Sequence, residues 1–168
     1  MEKQSQKQNH SKMVRIELQT NINAPKEIVF DLSRSIDLHK ISTQQTNEEA
    51  VAGIRTGLIS LNETVTWRAK HFGIYQKLTV KITELQSPIF FVDEMQKGAF
   101  KSFRHQHHFS NFEEGTQMID IFEYQAPLGI LGTIANKLFL EKYMTNFLQK
   151  RNKTIKYFAE FERWKEII

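Results

Sequence analysis

The chain has 168 residues, of which 40% are hydrophobic and 25% charged, and its formal net charge is +4. This profile is typical of a folded domain with one core, and the absence of cysteine excludes disulfides, thiolate metal sites and a cysteine nucleophile. The basic residues do not alternate with aromatic ones as in a nucleic-acid platform, so we expect no nucleic-acid partner.

The N-terminal segment, residues 1–12, is polar and rich in glutamine, without apolar periodicity. We predict a disordered tail there, followed by a single domain over residues 13–168. The segment lacks the apolar core of a signal peptide, and no apolar run in the chain approaches the roughly 20 residues of a membrane span. The sequence therefore predicts a cytoplasmic protein without a membrane span.

The first structured elements are a strand and two short helices. Residues 13–22 alternate apolar side chains such as Ile16 and Leu18 with polar ones, which is the period of a half-buried strand. Pro25 suits the first turn of a helix. A second helical piece follows through His39, whose place near a helix C-terminus suggests a capping role.

A run of antiparallel strands follows. Residues 44–61 predict a loop region with at most a short strand, and alternating patterns predict strands over 63–72, 74–85, 89–95, 100–109 and 116–125. The last strand carries apolar residues on both faces, and we take the face with Asp120 as inward. The inward surface then holds our candidate ligand-binding residues: Glu63, Trp67, His71, Phe91, Asp93, His105, His107, Met118, Asp120, Phe122 and Tyr124.

The last quarter of the chain, residues 128–165, predicts a long amphipathic helix with a possible bend near Gly132. Its apolar residues recur at spacings near three, four and seven, while Arg151 and most other charged residues fall on the opposite side. Such a stripe is buried most simply by a wide antiparallel sheet that curls around the helix, leaving an internal space. We therefore predict an α+β fold with a curved sheet of about six to seven strands.

Several sequence segments support a family resemblance. They are APKEIVFDL (24–32), SIDLHK (35–40), VTWRAKHFG (65–73), GAFKSFRHQHHF (98–109) and FEYQAPLGILG (122–132). With the order of elements, they resemble the helix-grip fold of the SRPBCC superfamily, which includes START-related, birch-pollen-allergen-like and polyketide cyclase-like proteins. Locally they look like an uncharacterised bacterial branch sometimes labelled cell-division-inhibitor-like. The resemblance implies a hydrophobic cavity and supplies no catalytic motif to transfer.

The inward polar residues allow several interpretations. Our main hypothesis is that the cavity binds a small hydrophobic or amphipathic molecule, lipid-like or polyketide-like, whose polar end the carboxylates and imidazoles orient. The alternatives are a histidine–aspartate pair that only joins strands, a cyclase or dehydratase using His105 or His107 with Asp120, and a ligand-free interaction module in cell-division or stress regulation.

Two further points concern metals and partners. Two histidines at i and i+2 on one strand face could bind zinc with a carboxylate, but strand spacing is permissive, and we predict neither metal nor cofactor. The segment 138–148 is apolar nearly all round. This surplus suggests a pocket entrance, a membrane-touching patch or a homodimer contact.

Overall fold

The strands and helices of the structure lie close to the residue ranges that the sequence patterns predict. A computed structural model describes residues 13–126 and 139–168. The predicted tail, the beginning of the predicted last helix and the bend near Gly132 lie outside these residues. The strands are β1 (Val14–Ile22), β2 (Glu49–Gly53), β3 (Thr64–His71), β4 (Ile74–Gln86), β5 (Phe90–Lys97), β6 (Ser102–Phe112) and β7 (Gly115–Gln125).

The helices lie before β2 and after β7. They are α1 (Lys26–Ser33), α2 (Ile36–Ser42) and α3 (Glu141–Glu160), with short 3-10 helices over Gln44–Thr46 and Arg163–Glu166. Ser35 begins α2 as its N-cap, where its hydroxyl oxygen accepts a hydrogen bond of 3.2 Å from the backbone N–H of Leu38. Within residues 13–126 and 139–168, no helix combines the length and apolar character that crossing a membrane requires.

The seven strands form one sheet in the order β1-β7-β6-β5-β4-β3-β2, and every neighbouring pair is antiparallel. Sheet and helices together confirm the predicted α+β class and the strand count. The two short helices after β1 are also confirmed. β2 is a short strand within the stretch predicted as a loop region with at most a short strand, and it forms the edge of the sheet opposite β1.

Strand alternation decides which side chains enter the core. Along β6, Phe103, His105, His107 and Phe109 are buried while their neighbours are not, and along β7 the buried set includes Asp120. The face of β7 chosen from the sequence is therefore the inner one. The reason is geometric, because side chains two residues apart on a strand share one face.

Helix α3 packs on this inner face, beside β1, α1 and α2. The predicted stripe is buried at Leu148, Ile155, Phe158 and Ala159. Arg151 was expected on the outer side, but it is buried, as is its neighbour, residue 152. The expectation was wrong because Arg151 lies three residues after Leu148 and four before Ile155, on the same helix face.

Candidate functional site

A pocket of about 130 Å³ lies between the inner face of the sheet and α3. Aromatic and aliphatic side chains form most of its wall. They include Ile59, Val65, Trp67, Leu78, Val80, Ile82, Phe91, Phe100, Phe103, Phe122, Met144, Phe147 and Leu148. The polar residues in the wall are Ser33, Arg34, Ser35, His39, Glu48, Asp93, His105, His107 and Arg151. Polar groups on an apolar wall are the usual pattern of a small-molecule site.

His107 lies at the centre of a buried polar network. Its Nδ1 hydrogen-bonds Oδ1 of Asp120 at 2.5 Å, and its Nε2 hydrogen-bonds Oδ1 of Asp93 at 2.9 Å. Asp120 is its direct cross-strand partner on β7, and the ring of Phe91 on β5 stacks on the imidazole with centroids 4.2 Å apart. Both ring nitrogens are therefore held, and the ring has a fixed orientation.

Helix α3 contributes the remaining partners of Asp120. The side-chain amide of Asn152 donates to Oδ2 of Asp120 at 2.6 Å, and Nη1 of Arg151 lies 3.6 Å from Oδ1. Arg151 also donates through Nη2 to the backbone carbonyl of Ser33 at 2.7 Å. The network thus joins the helix to β5, β6 and β7. It also keeps the carboxylate of Asp120 hydrogen-bonded, although this side chain is only 1% exposed.

The pKa shifts in this network follow from burial and pairing. Burial acts to raise the pKa of Asp120, but the nearby imidazole of His105, the hydrogen bond from His107 and the charges of His107 and Arg151 hold it well below its usual range. Burial acts to lower the pKa of His107, yet the bonds and charge of Asp120, with the bond to Asp93, raise it overall. Burial acts to raise the pKa of Asp93, but the hydrogen bond from His107 and the charges of both histidines lower it overall. These shifts favour the charged forms of Asp93, Asp120 and His107.

His105 differs from His107 although both face inward from the same strand. Its Nδ1 lies 3.7 Å from Oδ1 of Asp93, its cross-strand neighbour on β5. Its Nε2 lies 3.3 Å from Oδ1 of Asp120, and among the described residues this nitrogen makes no hydrogen bond of acceptable geometry. Burial and the adjacent charge of His107 lower the pKa of His105, so this imidazole is the neutral one of the pair.

A second polar group lies in the wall nearer β2. Nε2 of His39 is 3.2 Å from Oε2 of Glu48, and the imidazole stacks on the indole of Trp67 with centroids 4.2 Å apart. Burial acts to raise the pKa of Glu48, but the charge and hydrogen bond of His39 and weaker effects of Thr43 and His71 lower it overall. The side chain of His39, which lies in the last turn of α2, thus also pairs with a buried carboxylate.

The tip of the β3–β4 hairpin meets the beginning of α3 through an aromatic contact. Nδ1 of His71 lies 2.7 Å from the hydroxyl of Tyr143, and burial lowers the pKa of this histidine. Phe72 packs against Tyr143 and Phe139 with ring centroids 4.8 and 5.3 Å away. The side chains of Phe72 and Phe139 are exposed, in line with the surplus of apolar surface expected over residues 138–148.

Some of the predicted site residues line the pocket and others do not. Its wall contains Trp67, Phe91, Asp93, His105, His107 and Phe122. Asp120 lies directly behind His107 and acts on the pocket through it.

Besides Asp120, four predicted residues do not line this pocket. Glu63 precedes the first residue of β3, and its carboxylate accepts a hydrogen bond of 2.7 Å from the backbone N–H of Ser60 in the preceding turn. His71 is held at the hairpin tip. Met118 and Tyr124 do face inward, but neighbouring core side chains cover them fully. The pKa of Tyr124 is raised to about 12 by burial and by the charge of Glu141.

Sequence reasoning missed seven polar residues of the wall and network: Ser33, Arg34, Ser35, His39, Glu48, Arg151 and Asn152. The signal for the last two was present, since positions 148, 151, 152, 155, 158 and 159 form one helix face. Glu48 gave no such signal, because it precedes β2 in a polar stretch.

One group within residues 13–126 and 139–168 has the geometry to hold a metal ion. Asp93, His105 and His107 each offer one ligand atom, and these atoms lie within 4.8 Å of one another. All three residues line the pocket. The sequence analysis predicted no metal, whereas the structure brings together three residues that could bind one.

Comparison with known proteins shows the fold and no closer relationship. No family model matches the sequence, and no curated protein matches it. Among solved structures, TTHA0849 of Thermus thermophilus is 19% identical with a TM-score of 0.71, over 86% of this chain and 95% of that one. The latex-like protein 151 of Panax ginseng is 14% identical with a TM-score of 0.64, over 88% and 97%.

The di-domain ARO/CYC protein StfQ of the steffimycin biosynthetic pathway also has this fold. It is 11% identical with a TM-score of 0.71, and the match covers 90% of this chain and 52% of StfQ. These likenesses confirm the helix-grip fold that the sequence resemblance implied.

Proposed function

We propose, on the basis of the helix-grip fold shared with these proteins, that the pocket binds a small, largely apolar molecule carrying one polar group. The observation that carries the proposal is that Asp93, His105, His107 and Arg151 line a pocket whose wall is largely apolar. Apolar walls would hold the body of the ligand, and the polar side chains would orient its polar group. The carboxylate of Asp93 suits this role best, because its side chain remains 18% exposed while its histidine partners are nearly covered.

The size of the pocket limits the ligand. An engineered cavity of about 150 Å³ in another protein holds benzene, and this pocket has about 130 Å³. A molecule with one ring or a short chain therefore fits the structure as it stands, whereas a lipid or a polyketide of several rings requires wall side chains to move.

The expected affinity follows from the same size. Removing about 200 Å² of apolar ligand surface from water contributes on the order of 5 kcal/mol. That corresponds to roughly submillimolar binding before the cost of association is subtracted. The polar contact should therefore decide which one-ring compounds bind measurably.

The experiment uses two probes of equal ring size, 4-fluorophenol and fluorobenzene, followed by ¹⁹F NMR. We expect 4-fluorophenol to bind more tightly, because its hydroxyl can hydrogen-bond the polar wall. Met144 lines the pocket, whereas Met95 is partly buried beside the core and does not. Met144→Phe should weaken binding, and the same exchange at Met95 should leave it unchanged.

Two results would overturn the binding proposal. One is that neither probe binds, which would favour the ligand-free interaction module. The other is that Met144→Phe and Met95→Phe have equal effects, which would place the bound probe elsewhere.

A second candidate function is acid–base catalysis of the cyclase or dehydratase kind. It is favoured by the His107–Asp120 hydrogen bond beside the pocket, and by the likeness to StfQ. Because Asp93 holds the other nitrogen of His107, His105 is the better candidate to exchange a proton with a ligand. On this alternative, His105→Gln would abolish turnover of a substrate and preserve probe affinity, whereas a binding protein would show no turnover to lose.

A further inference from the structure

We infer that Asp93, His105 and His107 form a binding site for one zinc ion with an open position toward the pocket. The three residues lie on two adjacent strands, β5 and β6, which fix their backbones relative to each other. Nε2 of His107 and Oδ1 of Asp93 are 2.9 Å apart, and Nδ1 of His105 is 3.7 Å from the same oxygen. The inference concerns the metal alone and does not depend on the identity of an organic ligand.

The spacing of these atoms is close to what zinc requires. Zinc binds imidazole nitrogen and carboxylate oxygen at about 2.0–2.2 Å, so neighbouring ligand atoms in a tetrahedral site are about 3.3 Å apart. The two separations measured from Asp93 fall on either side of that value, at 2.9 and 3.7 Å. All three ligand atoms lie within 4.8 Å of one another, so side-chain rotations alone, without a change of strand register, would bring them to a common ion.

The surroundings of His107 are those of a metal-binding histidine. Such a histidine usually presents one ring nitrogen to the metal and donates the N–H of the other to a carboxylate, which fixes the ring. Asp120 receives that hydrogen bond from Nδ1, and Asn152 in turn holds Asp120 through its second oxygen. The nitrogen left for a metal, Nε2, points toward Asp93.

Charge and donor type also favour zinc. The ligand set would be two imidazoles and one carboxylate without a thiolate, a combination typical of zinc sites that keep a fourth position open. On binding, the ion replaces the proton between His107 and Asp93, which leaves to solvent. The carboxylates of Asp93 and Asp120 would offset the charge of the ion, although the guanidinium of Arg151 shares the Asp120 carboxylate at 3.6 Å. Because Asp93, His105 and His107 all line the pocket, the fourth position faces the space where a polar group of a ligand would lie.

The experiment measures binding of zinc alone to untagged, chelator-treated protein, by competition with a chromophoric zinc indicator. We expect one zinc ion per chain. His105→Gln and Asp93→Asn should abolish stoichiometric binding. Asp120→Asn should weaken it by roughly 10–100-fold, the usual effect of losing a carboxylate that orients a ligand.

The matched control is His108→Gln. His108 is the next residue on the same strand but faces outward, where its ring lies over Phe90 with centroids 5.9 Å apart. This variant should bind zinc as the unchanged protein does. Tetrahedral cobalt spectra of the unchanged protein would report the same mixed nitrogen and oxygen ligand set.

A measurement on the unchanged protein keeps the inference testable if the buried variants fail to fold. In ¹⁵N NMR of the imidazoles, zinc should shift Nδ1 of His105 and Nε2 of His107 and leave His39 and His71 unchanged. The inference is overturned if zinc does not bind stoichiometrically, if it shifts His39 or His71 instead, or if folded His105→Gln binds zinc normally. None of these results alters the fluorophenol experiment, so the two proposals fail separately.

Discussion

The substitution Asp120→Asn tests whether the buried network holds helix α3 to the sheet. Asparagine has nearly the same shape, but it offers one acceptor oxygen where Asp120 accepts from both His107 and Asn152. One charge-assisted hydrogen bond is therefore lost, at a cost of about 1.5–3 kcal/mol. The buried guanidinium of Arg151 also loses the carboxylate 3.6 Å away. Breaking a buried ionic arrangement in this way typically costs about 3–5 kcal/mol in total.

Urea denaturation followed by fluorescence and circular dichroism measures this loss. With a slope of about 2 kcal/mol per molar urea, the midpoint should fall by about 1.5–2.5 M. The matched control is Glu123→Gln on the outer face of β7, where the partner, Arg15, is half exposed at 3.1 Å. An exposed pair is worth below about 1 kcal/mol. A midpoint shift for Asp120→Asn no larger than that of Glu123→Gln would refute the structural role of the network.

Three further predictions concern stability. The pKa of Glu48 in the folded state lies below its ordinary value of 4.5. The contribution of this carboxylate to the unfolding free energy is therefore complete above pH 4.5 and is lost as the pH falls through the folded-state pKa. The unfolding free energy should therefore decline between about pH 5 and pH 3 more steeply than in Glu48→Gln, and parallel curves would contradict this. His39→Ala should lower the unfolding free energy, measured by urea denaturation, by about 1–3 kcal/mol, because it leaves the buried Glu48 carboxylate without its imidazole partner. A loss no larger than that of an exposed substitution would contradict this prediction. Gly115→Ala should cost about 1–3 kcal/mol, since the added Cβ would lie 2.3 Å from the Ile22 carbonyl oxygen. Gly57→Ala meets no atom within 4 Å and suffers only from its positive φ, so thermal denaturation should show the smaller loss there, and the reverse order would contradict the packing argument.

Most of the fold could be predicted because strand alternation is a local signal. The period of two within strands β6 and β7 correctly places His105, His107 and Asp120 on the inner face. This works because successive side chains of a strand point to opposite faces of the sheet. Register is not local. That His107 meets Asp120 while His105 meets Asp93 depends on the hairpin lengths, and the sequence left these pairings open.

The parts of the site that escaped prediction depend on tertiary packing. Arg151 was assigned outward by polarity, although its helical spacing places it on the buried face together with Asn152. Glu63 was placed inward by extending alternation one residue beyond the strand, where the backbone already turns. Met118 does turn inward, yet whether an inward side chain borders an empty space depends on how completely α1 and α3 cover the sheet, which no local pattern records.

The open sheet described by residues 13–126 has two edge strands, and both are poor templates for intermolecular pairing. β1 presents alternating exposed side chains that include Arg15 and Glu17, which form an ion pair of 2.9 Å. β2 has five residues, a register shift between Ala50 and Ala52, and Gly53 at its end with a positive φ. Charge on one edge and brevity with a bulge on the other are the devices by which β-proteins avoid edge-to-edge aggregation. Copies of this chain are therefore protected from joining their sheets into a continuous one, which leaves other surfaces for any self-association.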